Sequence, residues 1–394
     1  DSVGLVTART GIEIGARPGV AASISVDGNA IFSGISTFSN TTESSASTNG
    51  SVQFDGGVGI IKNLNVGGDL AVTSTLAKIT LTDSDSGDAY QLRNNTGSFA
   101  VRNATDSRSD ITVDGDGKTL IGATSKLLSQ NDKLQIADTS ANAGIIVHRA
   151  SNDNSPPYFH FHKTRGTSVG AATIVQSGDE LGRIRWNGTN GSGLSFAAEI
   201  RATVDGSPGA SNDMPGRLQL YTTSEGSGTP TERLRITKNG RVLIQEGTFS
   251  ERTLGVVAKL QIEGTDANTS TISVVRNSND TNPSYIHFGK SRGTATGANT
   301  TLQTGDSIGG LFFYAADGND IYSESAFIRA GIATGRTQAS TTMGSNSTPG
   351  VLEFATTLDG DASARKHVEI DGDGIFKMMT GNTENDNNSG FETN

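Results

Sequence analysis

Two histidines that are two residues apart are the clearest hint of chemistry in this sequence. His160 and His162 lie in YFHFHKTRG, residues 158–166, which has the character of a strand, so both side chains are expected on one face. Such a pair could ligate a metal ion, more so if several chains met around an axis. The alternative is an ordinary strand in which His160 is packed and His162 is exposed.

An internal repeat favours the ordinary strand. In the second copy, YFHFHKTRG becomes YIHFGKSRG, residues 285–293. His287 corresponds to His160, but Gly289 stands at the position of His162. Residues that both copies keep are most economically assigned to the shared fold. The histidine pair belongs to one copy only, and we therefore predict no metal site there.

A pair of neighbouring carboxylates is the next candidate. Asp179 and Glu180 in SGDELG could serve glycoside cleavage, which needs two carboxyl groups at a defined separation. Adjacent residues of a strand point to opposite faces, however, and Ser307 replaces Glu180 in the second copy. A turn-forming Asp179 is the better interpretation, and we predict no catalytic residue.

Several acidic, glycine-containing stretches are similar to ion-binding or phosphate-binding loops. DSDSGD (83–88) and DGDG (114–117 and 371–374) lack the complete spacing and the final glutamate of a calcium loop. GDGKT (115–119) lacks the upstream glycine and the following helix of a phosphate loop. Asp-Gly hairpin turns explain these stretches, and we expect no cofactor.

Large aromatic residues offer no specific chemistry. Trp186 aligns with Phe313 of the second copy, which predicts a core residue of a strand. Tyr221, Tyr314 and Tyr322 could lie on a sugar-binding face, but no motif specifies one. No Ser-His-Asp order with a nucleophile elbow is present. The prediction is a protein that is not an enzyme.

Composition excludes several classes of partner and points to a β-rich chain. With 31 basic and 41 acidic residues among 394, the net charge is −10, and no basic cluster suits nucleic acid. No apolar run is long enough to insert into a membrane, and the N-terminus has no signal-peptide pattern. The sequence begins with Asp1 and not with Met, which predicts a processed or excised segment. Cysteine is absent, so neither disulfides nor thiolate sites are possible.

Short β-branched runs between turn residues predict an all-β fold with little core material. Hydrophobic residues make up 33% of the chain, and 50 residues are glycine. One chain of this composition buries too little apolar area to offset its ordering entropy. Either the chain is disordered or identical chains pool their apolar faces, and the regular strand pattern favours pooling.

The repeat divides the chain into segments. KLQIADTSANAGIIVHR, from Lys133, returns as KLQIEGTDANTSTISVVR, from Lys259. The predicted segments are a Gly-rich repetitive β shaft (1–80), a small β domain ending in a hairpin (81–125), a first β repeat domain (126–250), a second β repeat domain (251–380) and a flexible polar tail (381–394).

Three stretches carry a resemblance to a known family. STNGSVQFDGGVGIIKNLNVGGDLAVTST (47–75) and DSVGLVTARTGIEIG (1–15) resemble tail-fibre-like virion proteins of tailed phages, especially cyanophages. GDELGRIRWNG and TPTERLRITKNGRVLI, within 178–244, are similar to fibre domains that precede a C-terminal intramolecular chaperone. Through the internal repeat, the resemblance extends more loosely to 259–380.

The resemblance implies an elongated homotrimeric fibre with a β-helix-like or β-prism-like shaft, carried on a virion. Its expected partners are two further copies of itself, other virion proteins and a host-surface glycan or protein, with no nucleic acid and no membrane insertion. Two alternatives remain open. A bacterial surface adhesin or filament subunit would need a secretion signal or anchor. A fibre-borne polysaccharide depolymerase would need a carboxylate pair in a groove.

Overall fold

The chain is built from β-strands. The computed structural model describes residues 12–14, 22–24, 30–32, 54, 57–140, 142–209, 212–333 and 348–379. Within these residues there are twenty strands, one 3-10 turn at Leu127–Ser129 and no α-helix, which confirms the predicted all-β class. No described helix is long and apolar enough to cross a membrane. Most of the predicted shaft (1–80) and all of the predicted tail (381–394) lie outside the described residues.

The chain divides into two compact units, residues 1–124 and 125–394. In the first unit, three short antiparallel strands form one sheet, and five further antiparallel strands form a meander. These strands are β1 (Ile12–Ile14), β2 (Ala22–Ile24), β3 (Ala30–Phe32), β4 (Ala77–Thr82), β5 (Ala89–Asn95), β6 (Ser98–Asn103), β7 (Arg108–Val113) and β8 (Thr119–Ile121). Residues 57–76, where the sequence predicts short strands, form no strand within the chain.

The second unit contains the two repeats, each with a sheet of its own. Its strands are β9 (Leu134–Ile136), β10 (Glu180–Thr189), β11 (Leu194–Val204), β12 (Gly216–Thr222), β13 (Thr231–Ile236), β14 (Val242–Gln245), β15 (Leu260–Glu263), β16 (Ser307–Ala315), β17 (Ser323–Ile332), β18 (Gly350–Thr356), β19 (Arg365–Ile370) and β20 (Phe376–Met378). Strands β10 to β14 form an antiparallel meander, and so do β16 to β20. β15, which opens the second copy of the repeat, pairs in parallel with β14.

The two meanders share their irregularities as well as their strands. The register shifts between Trp186 and Asn187 on β10, and it shifts at the matching place, between Phe313 and Tyr314, on β16. A further shift on β12 recurs on β18. Bulges bend and twist a strand locally, so their recurrence shows that the internal repeat is a repeat of three-dimensional structure.

The Asp-Gly stretches form turns between antiparallel strands. Asp114 accepts the backbone N–H of Lys118 at 2.9 Å, and Asp371 accepts that of Ile375 at 2.9 Å. Gly117 and Gly374 adopt φ values of 72° and 80°, in the left-handed region that glycine tolerates best. The carboxylates are thus used by their own turns, as the hairpin interpretation predicts.

Few apolar side chains are buried within the chain. Among the described residues, the buried apolar ones are small or scattered, and they do not form a continuous core: Ala100, Leu120, Val175, Val204, Leu243, Phe327, Ile332, Ala333 and Ala355. Most of the large aliphatic and aromatic side chains of the strands are exposed instead. The sheets therefore lack the cover that an isolated globular domain gives its apolar residues.

Candidate functional site

The two histidines lie on one side of an extended segment, as predicted, but in a chain segment that pairs with no strand. His162 Nε2 is 3.4 Å from His160 Nδ1, and the two rings stack with centroids 5.6 Å apart. The edge of Tyr158 contacts His160 at 4.9 Å, and Tyr285 contacts His287 in the same way at 5.1 Å. The shared Tyr-x-His contact is a feature of the fold.

No metal-binding constellation surrounds this pair. Across the described part of the chain, no group of three or more His, Asp or Glu side chains is arranged to hold a metal ion. Both His160 and His162 are exposed, so the expectation of a packed His160 is wrong for the single chain. The two rings contact each other, and His160 also contacts Tyr158. The lack of a metal at this place stays a prediction.

Asp179 is fixed by an arginine in a turn that both repeats share. Arg165 donates to its two carboxylate oxygens at 2.6 and 2.7 Å, and the backbone N–H of Gln176 donates at 2.9 Å. These hydrogen bonds, the arginine's first, hold the pKa of Asp179 well below its usual range. Asp306 is held by Arg292 at the same two distances. A carboxylate fixed as an anion in both copies supports the turn-forming interpretation.

Glu180 belongs to a different cluster, on one face of the first repeat's sheet. It contacts Arg183, and Arg201 approaches its Oε1 at 2.6 Å. Glu199, only 1% exposed, accepts hydrogen bonds from Arg185 Nε at 2.7 Å and Arg201 Nε at 2.6 Å. Burial raises the pKa of Glu199, but the arginines outweigh burial and lower it overall. The carboxylates of this region are engaged in ion pairs.

The second repeat carries aromatic side chains at the same positions. Phe312 stands at the position of Arg185 and Phe327 at that of Glu199, with their ring centroids 5.5 Å apart. Arg329 lies 4.7 Å above the Phe327 ring. The second repeat also keeps ion pairs on this face, since the buried Glu353 accepts hydrogen bonds from Arg329 at 2.8 Å and from Lys366 at 3.1 Å. The two repeats therefore share buried ion pairs on this face and differ in the aromatic pair.

The opposite face of each larger sheet is apolar, and an unbroken row of cross-strand partners runs along it. In the first repeat the row has one aliphatic residue from each of the six strands: Ile184, Ile200, Leu220, Leu234, Ile244 and Ile262. In the second repeat the row is Leu311, Ile328, Phe354, Val368 and Met378. We call the face that carries each row the apolar face.

The meander of the first unit has the same property. Its row of cross-strand partners is Ile79, Leu92, Val101, Ile111 and Ile121. Most members of the three rows are exposed, and Trp186, on the apolar face of the first repeat, is 50% exposed. The prediction that Trp186 is a core residue is therefore wrong for the single chain, where half of the residue is exposed.

The first repeat covers its charged face with its own chain. Residues 246–259, which connect β14 to the parallel β15, lie against that face. Glu251 accepts hydrogen bonds from Thr237 at 2.8 Å and from Arg241 at 2.9 Å, and Gln245 donates to the Ser250 carbonyl at 2.8 Å. Leu243 is buried beneath this connection. The connection thus shields the charged side of the sheet near β13 and β14, while three of the six members of the apolar row on the other side remain exposed.

The three tyrosines do not form one surface. Tyr314 and Tyr322 stack in the second repeat, with ring centroids 5.4 Å apart. Tyr221 lies in the first repeat, where its hydroxyl is 3.2 Å from Glu232 and burial raises its pKa. Sequence reasoning named these rings but missed the apolar rows, although the period-two alternation in LRIT (234–237) is a signal that could have found them.

Comparisons with known proteins give a fold likeness only. No family model and no curated protein matches the chain. The carboxy-terminal domain of the bacteriophage T5 L-shaped tail fibre is similar in structure at 16% identity and a TM-score of 0.46, over 61% of this chain and 93% of that one. The same domain with its intramolecular chaperone gives 17% identity and a TM-score of 0.47, over 61% and 63%. At these values we infer no activity or partner from the likeness.

Proposed function

We propose that this chain is a structural subunit of a homotrimeric fibre, in which the apolar faces of one copy are covered by those of the other copies. The observation that carries the proposal is the reversed burial of the first repeat's sheet. There Glu199 is buried on the face with the ion pairs, while three of the six members of the apolar row are more than a third exposed. The exposed residues in the apolar rows of the other two sheets support the same proposal.

A second copy of the same chain is the natural cover. Each copy presents the three apolar faces in the same order along its sequence, so identical chains can cover all of them together. Full burial of a large aliphatic side chain stabilises by about 1.5–3 kcal/mol, and closing a half-exposed one adds about 1 kcal/mol. A row of five or six residues repeated on three sheets is a substantial contribution. The number of three copies follows from the resemblance of 47–75 and 178–244 to tail-fibre-like proteins.

The proposed role is mechanical and adhesive, without catalysis. Asp179 and Glu180 are each held by arginine, which supports a structural use of both carboxylates. We propose further that the fibre belongs to a virion and attaches it to a glycan or protein on the host surface. This last step is supported by the sequence resemblance alone.

The molar mass of the folded chain in solution tests the proposal. Light scattering under native conditions should give about three times the chain mass of 40.8 kDa. A stable, folded monomer would show that the apolar faces need no cover, and the fibre would then be the wrong function. A dimer would preserve the covered faces but contradict the trimer.

A further inference from the structure

Two long excursions in the second unit contain no strand. Residues 142–176 connect β9 to β10, and residues 269–303 connect β15 to β16. Large apolar side chains are exposed along both: Ile145, Ile146, Val147, Tyr158, Phe159, Phe161, Val169, Ile174, Ile272, Val274, Val275, Tyr285, Ile286 and Phe288. Loops of this length without structure of their own are uncommon and are usually functional.

Each excursion is held in shape by an arginine at its turn. Arg149 donates to both carboxylate oxygens of Asp153, at 2.5 and 2.6 Å, and also to the carbonyl of Ser155. In the second copy, Arg276 contacts Asp280 and donates a hydrogen bond to the carbonyl of Asn282 at 2.8 Å. An outgoing arm (144–149 and 271–276) and a return arm (158–163 and 285–290) flank each fixed turn.

The return arms rest on the apolar faces. A Cβ on Gly182 would lie 2.6 Å from Phe161 Cβ, and one on Gly309 would lie 2.5 Å from Phe288 Cβ. Gly182 pairs with Ala202, which in turn pairs with Leu218 of the apolar face on β12. Phe161 therefore packs on the apolar face of the first repeat. Phe288 makes the equivalent contact in the second repeat. The arms therefore continue the surface that the proposed assembly closes.

The backbone of the arms lacks partners within the chain. No backbone–backbone hydrogen bond joins residues 144–149 or 158–163, or the matching arms of the second copy, to any other described residue. An extended segment with open N–H and C=O groups is a template for another strand. Its side chains alternate as in a strand, with Tyr158 and His160 in contact on one side and Phe159 and Phe161 on the other.

We propose that the arms of one copy form intermolecular β-strands with the arms of neighbouring copies. The inference rests on the proposed homotrimer and names the residues that join its chains. A second copy is the occupant because the arms extend the apolar faces and because both repeats keep the same pattern. Ile145 and Val147 correspond to Ile272 and Val274, two apolar positions on one side of each outgoing arm.

Hydrogen–deuterium exchange on the full chain tests the pairing. Amides of the four arms should be protected for as long as those of β11. Exchange of the arm amides within seconds, in a particle whose mass is that of a trimer, would overturn the pairing and leave the trimer intact. A monomeric mass would remove the proposed function itself, and arm protection in such a monomer would also overturn the intermolecular pairing.

A pair of substitutions gives an independent reading. Ile145→Asp places a carboxylate in an arm, whereas Val169→Asp places one at a fully exposed bend of the same excursion. Thr296, not an apolar residue, stands at the position of Val169 in the second copy. Ile145→Asp should raise the trimer dissociation constant at least tenfold, and Val169→Asp should leave it unchanged. Equal, small effects of the two changes would contradict the pairing.

Discussion

A truncation in the middle of an apolar face distinguishes a covered face from an open one. Ile244 lies on β14 between Leu234 and Ile262, and 39% of it is exposed within one chain. The change Ile244→Ala removes most of the side chain without adding a polar group. Its effect on stability therefore reports how much apolar contact the side chain has in the molecule as it exists in solution.

The expected magnitudes differ between the two cases. Replacing a fully buried isoleucine by alanine costs about 2–5 kcal/mol per site. A trimer contains the site three times, so the assembled particle should lose about 6–15 kcal/mol of unfolding free energy. On an open face, less of the surface of the side chain is removed from water on folding. The same change should then cost about 1 kcal/mol per chain.

Unfolding in guanidinium chloride, followed by the fluorescence of Trp186, measures this difference. Trp186 is the sole tryptophan and lies on the same apolar face, so its emission reports whether that face is exposed to solvent. The midpoint for a trimer should rise with protein concentration, as mass action requires. Val169→Ala, at an exposed bend, serves as the control and should leave the midpoint unchanged. A midpoint independent of concentration, together with a loss near 1 kcal/mol for Ile244→Ala, would refute the covered face.

Further predictions concern the contacts that shape the repeats. Gly182→Val should lower the melting temperature, at a cost of about 1–3 kcal/mol, because its side chain would collide with the return arm; Gly188→Ala, in open space on the same strand, should have a small effect. The clamp of Asp179 by Arg165 stabilises the fold above the ordinary aspartate pKa of 3.8 and loses this effect as the pH falls towards the lowered pKa of the folded state. Melting temperatures should therefore show a larger deficit for Arg165→Gln at pH 7 than at pH 2, and an equal deficit would contradict the clamp. Glu199→Ala should cost about 1–3 kcal/mol in chemical denaturation, because two half-buried arginines lose their shared hydrogen-bond acceptor; a negligible loss would show that the cluster is dispensable.

The sequence was most informative where the structure depends on neighbours in the same chain. The alignment of the two repeats predicted equivalent domains, and the structure reproduces their strands, bulges and arginine clamps at matching positions. The Asp-Gly turns were predicted for the same reason, because a hairpin turn is decided by a few adjacent residues. The arms show the limit of this approach. YFHFHKTRG has the alternation of a strand, but alternation does not supply a partner strand, and the part of the chain that the structure describes offers none.

The candidate chemical residues show a similar division. The comparison of the repeats correctly separated Asp179, which both copies keep, from Glu180, which one copy lacks. It could not reveal that Glu180 joins Arg201 on a charged face, because the residues that meet there come from three stretches of sequence. Trp186 was placed in a core on its type and its match to Phe313. That reasoning treats burial as a property of one chain, and half of the residue is exposed there.

The choice of which face of the sheet the chain covers explains why an apolar row can stay exposed. Alternation along β13 and β14 divides the residues between two faces, but it does not say which face the chain will cover. Because β15 pairs with β14 in parallel, the connection 246–259 must cross one face of the sheet to reach β15. It crosses the charged face, where Glu251 and Ser250 bind its polar groups. Glu251 and Gln245 find hydrogen-bond partners there without a second chain, whereas the apolar rows gain stability only when one arrives. Assembly thus has an energetic reason that is built into the topology of a single copy.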